Sequence, residues 1–308
     1  MPVHAQVQEI IDAELPPPGS IEEAREQYEA GCLTYVGPAE PVDSVSDEDA
    51  DGVRVRVFTP KGGAGQPLPV VLWIHGGGWI LGTIDAHDAL CRALCNAAEA
   101  IVCSVDYRLA PEAQHPAQLE DCRKALAWVR AEFPDVPVAV AGDSAGGNLA
   151  AVLARHERDG LAFQLLVYPA TDGTCSTPSY ESCGDGSYAL SRDEMRFCWE
   201  AYAPGEEAKR DPDVSPVRAP VEDLAGAPPA LVICAQYDPL TDEALAYASR
   251  LREAGVQART VVYDGMVHGF FRWRGGVDAA HEAMGEAAAA LRAALGSERL
   301  SPLPAPAS

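Results

Sequence analysis

The chain has 308 residues, 47% of them hydrophobic and 22% charged, the composition of a folded globular protein with material for a sizeable core. Its formal net charge of −23 excludes the Lys/Arg footprint that nucleic-acid phosphates demand and gives no support for docking on an anionic membrane. The acid surplus reads as a solvated surface that favours solubility.

The first residues, Met1-Pro2-Val3-His4-Ala5-Gln6, lack the basic and apolar regions of a secretory signal. No apolar run approaches the roughly 18 residues of a membrane span. The nine cysteines are therefore expected to be reduced and mostly buried, in a cytoplasmic protein. Cys91 and Cys95 lie one helical turn apart, but no second pair or nearby His completes a zinc set, so they are read as packing residues and no metal is expected.

Val7, Ile10, Ile11 and Leu15 have helical spacing, and Pro16-Pro17-Pro18-Gly19 stops that helix. A second, acidic helix is predicted after Ser20, with Glu23 at capping-box distance. Residues 1–51 are assigned to an N-terminal cap segment. Val53, Val55 and Val57 then alternate with Arg54 and Arg56, the period-two pattern of a half-exposed strand, which a Gly-rich turn over 61–65 ends.

From there strands and helices alternate. Short apolar runs at 70–74, 101–105, 138–141, 163–167 and 230–234 read as strands buried on both faces, with helices between them, as over 117–131 and 145–156. Such alternation predicts an α/β fold, a mainly parallel sheet flanked by helices. Residues 52–170 form the first part of that core and 228–297 the second, ending in a helix over 277–295. Between them, residues 171–227 are rich in Gly, Pro, Ser and acids, too long for a plain connection. They are read as an insertion that completes the cap. Residues 298–308, with Ser301-Pro302-Leu303-Pro304-Ala305-Pro306, read as a disordered tail. There is no internal repeat.

Gly142-Asp143-Ser144-Ala145-Gly146-Gly147 follows a buried strand and opens a helix, the context of a nucleophile elbow. The tight turn thrusts the Ser144 hydroxyl out of the backbone, toward the positive end of a helix. A Gly-rich strand-to-helix turn also binds phosphate, but no Lys-Ser/Thr pair ends this one as in a Walker A loop. His75-Gly76-Gly77-Gly78-Trp79 follows the first central strand. The N–H groups of Gly77 and Gly78, with that of Ala145, are candidates for an oxyanion hole, and His75 is read as pinning the loop. A nucleophilic serine needs a base and an orienter after later strands. His268, in Gly265-Met266-Val267-His268-Gly269-Phe270, and Asp238, in Gln236-Tyr237-Asp238-Pro239, hold those places in the order Ser, Asp, His. The rival bases His4, His87, His115, His156 and His281 do not lie in a Gly-flanked loop after a late strand. The rival acids are Asp242, Glu243 and Asp264. Trp79, Phe197 and Trp199 are candidate walls of the substrate pocket.

With these pieces in place the chain resembles the hormone-sensitive-lipase family of α/β-hydrolases, in its bacterial carboxylesterase branch. The matching motifs are His75-Gly76-Gly77-Gly78-Trp79, Tyr107-Arg108-Leu109-Ala110-Pro111-Glu112, the Ser144 elbow, Asp238-Pro239-Leu240 with Asp242-Glu243, and His268-Gly269-Phe270. They occur in family order across residues 70–270. The resemblance implies the α/β-hydrolase fold with an eight-stranded sheet and a helical cap, and hydrolysis of short- to medium-chain acyl esters by a Ser-His-Asp triad without a cofactor. It implies a small-molecule ester as partner, with no nucleic acid and no membrane, and is compatible with a homodimer. The chain departs from the family pattern at His115, before Pro116, where an aromatic residue is usual, and in its cap sequence. A biosynthetic enzyme on the same scaffold (a deacylase, lactonase, dehydratase or acyltransferase) is the alternative. A receptor like the plant gibberellin receptor, which resembles the family but lacks the catalytic His, fits less well because His268 is present.

Overall fold

The computed structural model describes residues 2–13 and 18–296. Leu15, Pro16 and Pro17 of the first helix and its stop, and the tail over 298–308, lie outside the described residues. Helix α1 (Ala5–Asp12) buries Val7 alone. Helix α2 (Ile21–Tyr35) starts at Ser20, whose hydroxyl accepts the Glu23 N–H, while the Glu23 carboxylate accepts the N–H of Gly19 rather than of Ser20. Half of the expected capping box is formed.

α2 is tied down by partners far along the chain. The Arg25 guanidinium grips Glu112 with two bonds of 2.8 Å and donates to the Ile80 carbonyl at 2.9 Å. Arg272 donates to the Cys32 sulfur at 2.8 Å and lies 4.8 Å from the Tyr28 ring centroid.

The core is one sheet of eight strands in the order β1-β2-β4-β3-β5-β6-β7-β8. These are β1 (Ser44–Asp49), β2 (Arg54–Thr59), β3 (Val70–Ile74), β4 (Ile101–Val105), β5 (Val138–Asp143), β6 (Leu161–Val167), β7 (Ala230–Tyr237) and β8 (Ala258–Val267). β2 runs antiparallel to both β1 and β4, and every other pair is parallel. The wholly apolar runs at β3 and β4 are buried throughout, as two-sided coverage requires. Leu72, Ile74, Cys103 and Val140 pack on one face with α4 (Ala117–Glu132), α5 (Ala145–His156) and α9 (Thr241–Glu253). Val71, Trp73, Val102 and Ala141 pack on the other with α3 (Asp88–Ala98) and α10 (Asp278–Leu295). Cys91 and Cys95 are buried on α3, where burial pushes both thiols up, Cys95 to about 12.

One assignment is corrected. Residues 44–49 fall within the segment 1–51 read as cap, yet they form β1, the edge of the sheet. Every residue of β1 is exposed. It is held by its ladder to β2 and by Asp47, which pairs with Arg54 and Arg56. Such a strand needs no apolar face, and its acidic side chains discourage a further strand from adding. Between β6 and β7, residues 171–227 carry three short helices, α6 (Pro178–Cys183), α7 (Arg192–Tyr202) and α8 (Val221–Leu224).

Candidate active site

Ser144, Asp238, His268 and the candidate oxyanion donors all follow the C-terminal ends of strands, on one rim of the sheet. Ser144 stands between β5 and α5 with φ 55° and ψ −118°. A left-handed φ costs a non-glycine residue about 1–2 kcal/mol. The neighbourhood holds it there: its N–H donates to the Val167 carbonyl at 2.8 Å, and its carbonyl accepts from Asn148 N at 3.0 Å and Ala170 N at 3.2 Å. The elbow also presses on β3. A Cβ on Gly142 would stand 2.5 Å from the Gly146 backbone, and one on Gly146 would overlap the Ile74 carbonyl oxygen. Both outer glycines of the motif are needed for this close approach.

His268 Nε2 lies 2.9 Å from Ser144 Oγ, and His268 Nδ1 lies 2.8 Å from Asp238 Oδ2. Asp238 is fully buried, and its other oxygen accepts the Leu240 N–H at 2.9 Å. A carboxylate only accepts, so the imidazole proton sits on Nδ1 and the Nε2 lone pair faces the serine hydroxyl. The arrangement meets the distance requirement of nucleophilic catalysis, a hydroxyl within reach of a base that a third group orients.

Several other histidines and acids are engaged elsewhere. Burial holds His75 neutral, with its pKa pushed down to about 3, and Nδ1 sits 2.8 Å from the Gly76 carbonyl. His115 meets the Tyr202 hydroxyl, His156 meets Asp213, and His281 meets the Arg274 carbonyl. Among the acids, Asp242 accepts the Ser179 N–H at 2.8 Å, and Glu243 accepts those of Thr171 and Asp172 at 2.7 and 3.2 Å. Both therefore moor the insertion to α9. Burial pushes the Glu243 carboxyl well above its usual range, against the pull of those two N–H groups.

After β3 come three successive residues in the left-handed region, Gly77 (φ 119°), Gly78 (φ 60°) and Trp79 (φ 61°). Among the described residues the N–H groups of Gly77, Gly78 and Ala145 have no protein acceptor. β3 and β5 are adjacent, with Ile74 beside Gly142, so this loop neighbours the elbow. Asp143 ties the two together by accepting the Gly76 N–H at 2.8 Å. Burial opposes ionisation of Asp143. His87 and Arg272, each 3.7 Å away, and the Gly76 N–H overcome that and hold its pKa at about 2.

The aromatic patch is not as expected. Trp79 and Trp199 are fully buried, with ring centroids 4.3 Å apart, and Tyr202 stacks on Trp79 at 4.4 Å and 3°. Neither tryptophan offers accessible surface as a pocket wall. Phe197 is 57% exposed, because two steps along a helix turn a side chain to the opposite face. Residues missed by sequence reasoning stand nearer the site. Cys198 covers Gly78, since a Cβ there would fall 2.5 Å from its sulfur. The Tyr168 ring lies 4.6 Å from that of His268, and Tyr188 stacks on Tyr237 at 5.0 Å beside Asp238. Tyr168 directly follows β6, a position on the same rim that could have singled it out.

Residues 71–272 match a family described as having the alpha/beta hydrolase fold, so the chain belongs to the α/β-hydrolases. Over 253 residues it is 44% identical to the carboxylesterase NlhH of Mycobacterium tuberculosis, covering 79% of each chain. It is 34% identical over 282 residues to the ethyl acetate hydrolase of Pseudomonas putida, covering 85% of this chain and 87% of that one. The solved esterase of Pyrobaculum calidifontis superposes with a TM-score of 0.88 at 37% identity, over 95% of this chain and 99% of the other. Within the α/β-hydrolases the chain is a member of the hormone-sensitive-lipase-like family, and it is a carboxylic ester hydrolase. Among the described residues no helix is long and apolar enough to cross a membrane.

Proposed function

We propose that the protein is a serine carboxylesterase in which Ser144, His268 and Asp238 act as a triad on short- to medium-chain acyl esters. The observation that carries this reading is the unbroken chain of hydrogen bonds from Asp238 through His268 to Ser144, at 2.8 and 2.9 Å. Ser144 Oγ attacks the ester carbonyl as Nε2 takes its proton. The N–H groups of Gly77, Gly78 and Ala145 receive the oxyanion. The imidazolium, stabilised by Asp238, then protonates the departing alcohol, leaving an acyl-enzyme. Water, deprotonated by His268, attacks that ester and releases the acid and the free serine. Apart from that water, every group in these steps belongs to the chain or the substrate.

The acyl preference is supported by the shape of the insertion, whose helices have only 6, 11 and 4 residues, too short for a lid that opens over a lipid surface. Each buried methylene contributes about 0.8 kcal/mol until a finite pocket is full. A p-nitrophenyl ester series should therefore show kcat/KM rising from acetate to butyrate or hexanoate and then falling. In parallel, an organophosphate should label Ser144 stoichiometrically, and Ser144→Ala should be inert while folded. Labelling elsewhere refutes the triad. Maximal rates on palmitate, or activation at an emulsion surface, refute the acyl preference.

A further inference from the structure

We infer that cap helix α7 holds the oxyanion loop in its working conformation, with Trp199 and Tyr202 as positioning residues that act through Trp79. The inference rests on the acyl-transfer reading above and gives the cap a part other than choosing the substrate.

Trp79 is the third of three residues in the left-handed region, and the only one of them with a side chain to disfavour it. Its indole has no exposed surface and packs against Trp199 at 4.3 Å and, nearly parallel, Tyr202 at 4.4 Å. Cys198 stands over the preceding Gly78. Three residues of one helix, 198, 199 and 202, thus touch two consecutive residues of the loop. The helix is fixed in turn at its far end. Tyr202 accepts the His115 N–H on its carbonyl at 2.8 Å, and its hydroxyl meets His115 Nδ1 at 3.2 Å. Within the loop, the Gly77 carbonyl accepts from Ile80 N at 3.1 Å and Leu81 N at 2.8 Å. That turn closes around Trp79, whose own carbonyl accepts from Ala110 N at 2.8 Å. Without its aromatic brackets Trp79 would relax toward an extended φ. That change would pass to Gly78, whose torsions no side chain restrains, and carry its N–H, which lies in the Gly77–Gly78 peptide, off its aim.

Oxyanion donors matter far more to the tetrahedral state than to the bound ester, so misaiming them lowers kcat and spares KM. A pocket wall behaves differently: altering it changes KM, and by a factor that depends on acyl length. Trp199→Met and Tyr202→Met fill much of the space with a flexible side chain but remove the flat face. Removing an oxyanion donor outright costs about 100- to 1000-fold, so misaiming one should lower kcat by about 10- to 100-fold. That factor should be the same for acetate, butyrate and hexanoate, with KM within about twofold. A trifluoromethyl ketone, which the serine converts to a tetrahedral adduct, should lose affinity by the same factor. Tyr202→Phe keeps the ring and should recover kcat to within about threefold of wild type. Circular dichroism and thermal melts establish that each variant folds. If a Met variant does not, Trp199→Phe is measured in its place, with an expected loss of about three- to tenfold. Unchanged kcat in folded variants, or a loss confined to KM and varying with acyl length, overturns the inference. Wild-type protein that turns over no ester and takes no organophosphate at Ser144 overturns the acyl-transfer reading itself.

Discussion

Asp238→Asn separates the two tasks of that carboxyl. One oxygen accepts the Leu240 N–H at 2.9 Å and the other the His268 Nδ1 proton at 2.8 Å. An asparagine must keep its amide oxygen toward Leu240, because an NH2 group cannot accept. The NH2 then faces His268 Nδ1, which must become the acceptor. The ring proton moves to Nε2 and points at Ser144 Oγ, so the base becomes a donor to the nucleophile. The new hydrogen bond favours the wrong tautomer by about 1 kcal/mol, and the right tautomer would bury two opposed donors at about 1–3 kcal/mol. Losing the charged partner of the imidazolium adds about 1.5–3 kcal/mol. Together these raise the barrier by roughly 4–7 kcal/mol, a loss in kcat on the order of 10⁴. The measurement is kcat and KM on p-nitrophenyl butyrate, with the melting curve as a check that the fold is kept. A loss under tenfold, or a larger one from Asp242→Asn, would show that the orienting acid is misassigned.

Gly146→Ala should destabilise the fold by about 3 kcal/mol or more, because the Ile74 carbonyl it meets is backbone and cannot turn aside. An unchanged melt would deny the close packing of the elbow on β3. Asp143 has its pKa depressed to about 2 in the folded protein. Its stabilisation, on the order of 2 kcal/mol, is therefore present above the ordinary aspartate range and lost as pH falls from about 4 toward 2. The stability gap between wild type and Asp143→Asn should shrink across that window, and a gap that stays constant contradicts the assignment. Arg25→Met removes the clasp of α2 on Glu112 and Ile80 and should lower the melting temperature by about 2 °C, the scale of a largely exposed ion pair. A fall of ten degrees would mean that α2 carries much more of the fold.

The buried strands were legible because two-sided burial demands continuous apolar runs, as at Val70-Val71-Leu72-Trp73-Ile74. The elbow and the Gly77-Gly78 loop were legible because their conformations exclude most side chains. β1 was not, since an exposed edge strand needs only its main chain, and Ser-Val-Ser-Asp-Glu-Asp carries no alternation. Nor were the roles of Asp242 and Glu243, whose acceptors serve an insertion distant in sequence. The aromatic patch failed on helical phase. Met195, Trp199 and Tyr202 follow the 3.6-residue repeat and are buried together, which would have set Phe197 on the outer face.

The mooring of α2 bears on how the chain comes together as it is made. Its Arg25 waits for Glu112, 87 residues downstream, and its Cys32 for Arg272, 240 residues downstream. At about 5–20 residues per second, the second wait lasts roughly 12–48 seconds. Until residues 80–112 emerge the helix lacks the partners of Arg25, and for the rest of that interval it still lacks the partner of Cys32. Glu22, Glu23, Glu26 and Glu29 keep it hydrated, and Cys32 is its only buried residue in the finished fold. The helix is thus made well before the last of the surface it docks on, and its acidity lets it remain solvated without inviting aggregation until the loop after β8 arrives.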